Sequence, residues 1–155
     1  MQNRHEVIIS IKPKWCELII SGQKIDEIRK TKPDTSHGPL RVFIYRSGSG
    51  KVIGEFTLRA CRYIQAWIDS DGEKHLGNTI GLRHCLKDEE LFNYLYREPK
   101  RGKPYSGGWA WRIENLIVYD DPRRLDSLCG FEKPPQSWRY GVYRVGSRMA
   151  VKWDD

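Results

Sequence analysis

The sequence predicts an α+β chain, a small, partly closed β-barrel with flanking helices. Three observations carry this. Short alternating apolar runs are separated by Gly- and Ser-rich connections. One helical period starts at a proline near the beginning of the chain. A second helical period opens with a run of acids. The 155 residues are expected to form one domain over 1–155, long enough to bury a core without staples.

The elements follow in order. "HEVIIS" (5–10) is β-branched and apolar, a first strand. In "KPKWCELIIS" (12–21) the period changes: Pro13 suits a first helical turn, and Trp15, Leu18 and Ile19 share one face. Lys12 is a poor N-cap, and Gly22 is a good residue to end the helix. "KIDEIRKT" resumes an extended pattern. "LRVFIYR" (40–46) and "KVIGEFTLRACRYI" (51–64) alternate, joined by "SGSG" as a hairpin connection. From Gln65 to Tyr96 the pattern is helical and mixed, with Leu91, Tyr94 and Leu95 on one face of "DEELFNYLYRE" (88–98). "PKRGKPYSGG" (99–108) is a basic Pro/Gly loop, "WAWRIENLIVYD" (109–120) one long strand, "DPRRLDSL" a helical turn, and "FEKPPQSWRYGVYRV" a loop and a last strand.

"RSGSGK" (46–51) has the flavour of a phosphate loop but fails its pattern. Tyr45 stands where the first glycine belongs, and Val52 follows the lysine instead of Ser or Thr. The four cysteines, Cys16, Cys61, Cys85 and Cys129, form no C-x-x-C pair and have no zinc-finger spacing to His. They are expected to be buried free thiols in a reducing cytoplasm, and neither a metal nor another cofactor is expected. There is no signal-peptide pattern and no run as long as a membrane span, so no membrane partner is expected.

The net charge is +7, with six Trp and eight Tyr. Lys and Arg neutralise phosphates and flat rings stack on bases, so the composition leans toward nucleic acid as much as toward mere solubility. Residues 1–60 hold eleven Lys and Arg against six Asp and Glu, whereas the remainder is nearly balanced. The basic half contains "SGQKIDEIRK" (21–30), with Lys24, Asp26, Glu27, Arg29 and Lys30 in seven residues. In an extended segment Ile25, Glu27 and Arg29 share a face, so Glu27 and Arg29 can pair. A lysine beside a partly buried carboxylate can serve as a base or a phosphate anchor. The same charges also suit a solvated edge strand that resists edge pairing.

"SIKPKWCELIISGQKIDEIRKTKP" resembles the opening of ASCH domains, members of the PUA-like superfamily: a helix, then Gly-x-Lys-x-x-Glu-x-Arg, here Gly22, Lys24, Glu27 and Arg29. "FIYRS" (43–47), "IGEF" (53–56) and "PPQSW" (134–138) resemble later segments of the family, in order. The resemblance implies a pseudo-barrel with a cleft where the first helix meets the next strand, and RNA or a modified nucleoside or nucleotide as the partner. Some small members are amidohydrolases of N4-acetylcytidine using a Lys, a Thr and a Glu. Lys24 matches that lysine, but Glu27 stands where the subgroup has its Thr.

The expected binding residues are therefore Lys12, Lys14, Lys24, Glu27, Arg29, Tyr45, Arg46, Ser47 and Trp138. Trp138 is a candidate base platform in a Pro-bounded loop, and Tyr45, Arg46 and Ser47 stand at a strand end. Trp109, Trp111 and Arg112 could stack on a base or fill the core. Lys100, Arg101 and Lys103 form a steering patch or a solvated loop. Three functions compete: an RNA- or nucleotide-binding module, an amidohydrolase with Lys24 as reactive base and Glu27 as its partner, and a metal-assisted nuclease. Asp88-Glu89-Glu90 fits the nuclease less well than it fits a helix start. Lys24→Ala is expected to cut binding with little loss of stability, and Glu27→Ala to harm both.

Overall fold

The computed structural model describes residues 2–98, 106–129 and 133–142. Strand β1 (Gln2–Ile11) is followed by helix α1 (Pro13–Ile20), which starts and stops where the sequence indicated. Lys12 is extended and makes no side-chain cap, and Gly22 adopts φ 81°, a conformation that glycine takes without steric penalty. The Gly22 N–H donates to Ile19 O and the Lys24 N–H to Leu18 O, so the chain folds back under the helix before entering β2 (Asp26–Arg29). That turn places Lys24 beside the strand.

Next come β3 (Leu40–Arg46), β4 (Lys51–Leu58), β5 (Cys61–Ile68), β6 (Lys74–Gly77), α2 (Asp88–Leu95), β7 (Ser106–Arg112), β8 (Glu114–Arg124), α3 (Leu125–Cys129) and β9 (Trp138–Val142). They form a five-stranded sheet, β8-β4-β3-β1-β9, and a four-stranded sheet, β2-β7-β5-β6. The α+β class holds, but among the described residues the ladders do not close into a barrel. β1 and β3 are parallel, and the other pairings are antiparallel.

Two long strands expected from alternation each break where the chain changes sheet. The run 51–64 ends β4 at Leu58 and restarts as β5 at Cys61. The run 109–120 breaks at Ile113, whose N–H donates to Ile25 O, and Asn115 has φ 51°. Apolar alternation continues through both corners because the residues on either side face one shared core. Gln65–Ile68, expected as helical, belongs to β5, since its backbone pairs with β6 throughout and with β7 at Gln65 and Ala66. Pro122 is tolerated in β8 because that strand is a sheet edge. The loop with Lys100, Arg101 and Lys103 lies outside the described residues.

Three apolar clusters hold the layers. Val7, Ile9, Val42, Ile44, Phe56 and Trp111 fill the space between the sheets, with Cys16 and Ile19 of α1 joining them. Ile8, Phe43, Tyr45 and Val52 pack under Leu125 and Leu128 on the far face of the first sheet. Ile28, Ile64, Ala66 and Ala110 pack under Leu91, Phe92 and Leu95 of α2 on the far face of the second. Burying each large side chain contributes about 1.5–3 kcal/mol, so both sheets are fixed on two sides. Among the described residues no helix is long and apolar enough to cross a membrane.

Candidate functional site

The turn after α1 and the pleat of β2 converge on one carboxylate. Glu27 is 4% exposed; its Oε1 lies 3.2 Å from Lys24 Nζ, and its Oε2 accepts from Arg29 Nη2 at 2.7 Å and Nε at 3.2 Å. Lys24, 1% exposed, also donates to the His84 carbonyl at 2.6 Å, and its ammonium lies 5.0 Å from the centroid of the Trp15 ring. Arg29 donates further to Ser10 O at 2.6 Å and to Ser137 Oγ at 3.1 Å. Two cations share one carboxylate, so the cluster keeps one net positive charge in a largely desolvated place. A buried cation requires such a partner to remain charged.

This cluster floors a cleft of about 270 Å³ lined by Ser10, Lys12, Trp15, Lys24, Glu27, Ile28, Arg29, Ser47, Leu86, Tyr94 and Gln136. The volume suits one small planar group, with Trp15 and Tyr94 as aromatic walls. The solvated edge-strand alternative does not describe Lys24, Glu27 and Arg29, which are buried or nearly so.

Of the expected residues, Lys12, Lys24, Glu27, Arg29 and Ser47 meet at this cleft. The others lie elsewhere. Lys14 is exposed on α1 with its ammonium 4.7 Å from the Trp15 centroid. Tyr45 is buried in the cluster under α3, because the period of two in β3 sends it with Phe43 to the face opposite Ile44. Arg46 pairs with Glu17 of α1 at 3.4 Å. Trp138 packs edge-on against Trp111 and Tyr140 and donates to Thr31 Oγ1 at 2.8 Å. Its loop still reaches the cleft through other residues: Gln136 lines it, Ser137 holds Arg29, and the Pro135 carbonyl accepts from Ser10 Oγ at 2.6 Å.

Trp15 and Tyr94 were visible in the sequence only as helix-face residues. Trp15 beside Lys14, on a helix of only eight residues, was the available signal. Ser10 and Leu86 carried none, while Gln136 stood in the "PPQSW" segment beside Trp138. The segment Arg83–Leu86 also serves the site. The Leu86 N–H donates to His84 Nδ1 at 3.0 Å, which places the neutral ring's proton on Nε2. Burial, helped by the charge of Lys24, lowers the His84 pKa below the ordinary value.

Trp111 is wholly buried and Trp109 partly so, while Arg112 pairs with Asp26 at 2.8 Å. Asp88, Glu89 and Glu90 occupy the first turn of α2, and Glu90 accepts from the Lys87 N–H. Among the described residues no group of three or more His, Cys, Asp or Glu could hold a metal ion. Cys16 is buried and Cys61 half-buried, with burial pushing their thiols up to about 11 and about 12. Cys85 is exposed, contrary to the expectation of buried thiols, because it sits at φ 66° in a surface loop.

Comparison with known proteins agrees with this architecture. Crystal structures of the ASCH protein of Zymomonas mobilis superpose over nearly the whole chain. A serine-to-alanine variant gives a TM-score of 0.66 at 20% identity, covering 99% of each chain. Another of these structures gives 0.65 at 22% identity, covering 97% of this chain and 96% of the other. A tyrosine-to-phenylalanine variant gives 0.64 at 19% identity, covering 96% and 97%. At these identities the likeness is one of fold. No curated protein matches the chain in sequence. The family model for the ASCH domain matches residues 9–123, which include the helix α1, the Gly-x-Lys-x-x-Glu-x-Arg segment and the strands β2 to β7, and the chain belongs to the PUA-like ASCH domain family.

Proposed function

We propose that this ASCH domain binds RNA or a modified nucleotide, holding one nucleotide unit in the cleft between α1, β2 and the 135–137 loop. The observation that supports this most is the buried Lys24–Glu27–Arg29 cluster under a cleft walled by Trp15 and Tyr94. A net positive floor complements a phosphate or an electron-rich base edge, and the aromatic walls complement a base. Lys12 is exposed at the rim, where a phosphate would meet it. The test is titration with each of the four nucleoside 5′-monophosphates and with a random-sequence RNA decamer at two salt concentrations. Binding that weakens with salt supports the proposal, and no binding of any of them contradicts it.

A second reading, hydrolysis of an amide on a nucleoside, is favoured by one observation: Lys24 lines the cleft within ion-pair distance of Glu27. In it Lys24 would be the reactive base. Incubation with N4-acetylcytidine decides it. Release of acetate by the wild type but not by Lys24→Met supports turnover, and an unchanged nucleoside excludes it for this substrate.

A further inference from the structure

The second sheet carries a row of rings on one face, outside the cleft. β7 and β5 pair so that Trp109 faces Tyr63, and β5 and β6 pair so that Trp67 faces His75. Tyr63, Gln65 and Trp67 point to the same side of β5, as residues two apart must. Between the two ring pairs the register places Gly107 and Gly77 on either side of Gln65. These glycines let the rings lie down on the sheet. A Cβ at Gly107 would first meet the Ile64 carbonyl of the neighbouring strand and would sit 2.8 Å from the Tyr63 hydroxyl oxygen, and one at Gly77 would sit 3.0 Å from the Trp67 ring. Tyr63 and Trp109 have centroids 5.0 Å apart, and Tyr63 is 37% exposed, which a ring serving only to fill the core would not be.

Charge and position connect this face to the cleft. Arg29, in the cleft floor, is the register partner of Trp109, which is in turn the partner of Tyr63. Two strand spacings, about 10 Å, therefore separate Arg29 from Tyr63. The segment leaving β2 sets one ammonium on each side of this path: Lys30 lies 5.1 Å from the Tyr94 ring of the cleft wall, and Lys32 lies 4.9 Å from the Trp109 ring. At the other end of the row His75 is paired with Asp69 at 2.7 Å, and Lys74 beside it sets its ammonium 5.4 Å from the Phe92 ring centroid.

We propose that Tyr63 and Trp109, with Lys32, form a stacking platform for unpaired bases of a single-stranded nucleic acid whose neighbouring nucleotide occupies the cleft. This rests on the nucleotide reading of the cleft and adds to it that the ligand is a chain rather than a free nucleotide. Rings supply sequence-tolerant stacking, and the ammonium meets the backbone.

The test compares a fluorescein-labelled random-sequence RNA decamer, a fluorescein-labelled self-complementary RNA hairpin and the four nucleoside 5′-monophosphates, on the wild type and on Tyr63→Ala, Tyr63→Phe and Lys32→Gln. The decamer is expected to bind more tightly than any monophosphate. Tyr63→Ala is expected to weaken the decamer about tenfold and Lys32→Gln to weaken it less, while monophosphate binding stays unchanged and Tyr63→Phe keeps wild-type affinity. Tyr63→Ala is first checked for a cooperative thermal transition. If it fails to fold, Lys32→Gln and the decamer-to-monophosphate ratio decide. Monophosphate binding with no gain for the decamer, or with Tyr63→Ala and Lys32→Gln holding the decamer as the wild type does, overturns the platform and leaves the cleft standing. A hairpin bound as tightly as the single strand also overturns the platform. If the wild type binds neither decamer nor monophosphate, both proposals fall.

Discussion

Two adjacent carboxylates on β2, Asp26 and Glu27, are equally buried yet differently placed. Asp26 is 1% exposed and accepts from Arg112 Nε at 2.8 Å, Arg112 Nη2 at 3.3 Å and the Arg83 N–H at 2.7 Å. Its partners belong to β7 and to the segment before α2, so it ties the edge strand to the body of the second sheet. Glu27, on the opposite side of the pleat, holds Lys24 and Arg29 at the floor of open space. One segment supports both: Arg83 O accepts from the N–H groups of Ile25 and Asp26, and His84 O accepts from Lys24. The Asp26 pair links two strands and lines no part of the cleft. The same chemistry beside a cleft can also meet a ligand.

The largest effect expected is that of Glu27→Ala. It leaves Lys24 and Arg29 without their shared carboxylate and should cost about 3–5 kcal/mol in urea unfolding, with loss of ligand binding. Lys24→Ala follows, at about 2–4 kcal/mol, because it empties a wholly buried volume and orphans the His84 carbonyl. This revises the expectation of little stability loss, which assumed an accessible side chain. Lys24→Met keeps the volume and should recover much of the stability without recovering binding. That separation is the sharpest sign of a ligand-facing role.

Asp26→Asn should cost less, about 1–3 kcal/mol, because Arg112 is 40% exposed and can turn to water. Its ligand affinity should equal that of the wild type. Equal losses of affinity in Asp26→Asn and Lys24→Met would erase the distinction between the two carboxylates.

Much of this comparison was legible in the sequence, and the reason is local. Pro13 and Gly22 bracket a helix by backbone geometry alone, and a period of two puts Glu27 and Arg29 together whatever the rest of the chain does. What was not legible depends on distant pairing. Arg112, 86 residues from Asp26, reaches it only because β2 and β7 are in register. Tyr45 looked like a cleft residue because it stands at a strand end, and Trp138 because it follows a Pro-bounded loop. The faces they take are set by β3 being buried on both sides and by β9 lying along β1. The barrel was inferred from alternation, which does not reveal that Ile113 turns the chain from one sheet into the other.

A pH effect smaller than these should report on the shared segment. The lowered His84 pKa means that the unfolded chain binds a proton more readily than the folded one. Stability is therefore fully present above the unfolded value of 6.5 and falls as pH drops below it toward the folded pKa. Protonation also removes the acceptor for the Leu86 N–H. Unfolding midpoints between pH 7.5 and 5 should fall for the wild type and fall less for His84→Gln. The smallest expected effect is that of Lys12→Ala, which should leave stability unchanged and reduce the salt slope of decamer binding by about one.

The most direct measurement is the ¹H–¹⁵N spectrum of the six indole N–H groups during titration with a nucleoside 5′-monophosphate. The cleft model predicts a saturable shift of the Trp15 resonance, with the resonance of Trp111, buried between the sheets, nearly still, and loss of the Trp15 shift in Lys24→Met. Saturable binding that leaves Trp15 unmoved, or a Trp15 shift that survives in Lys24→Met, would contradict it.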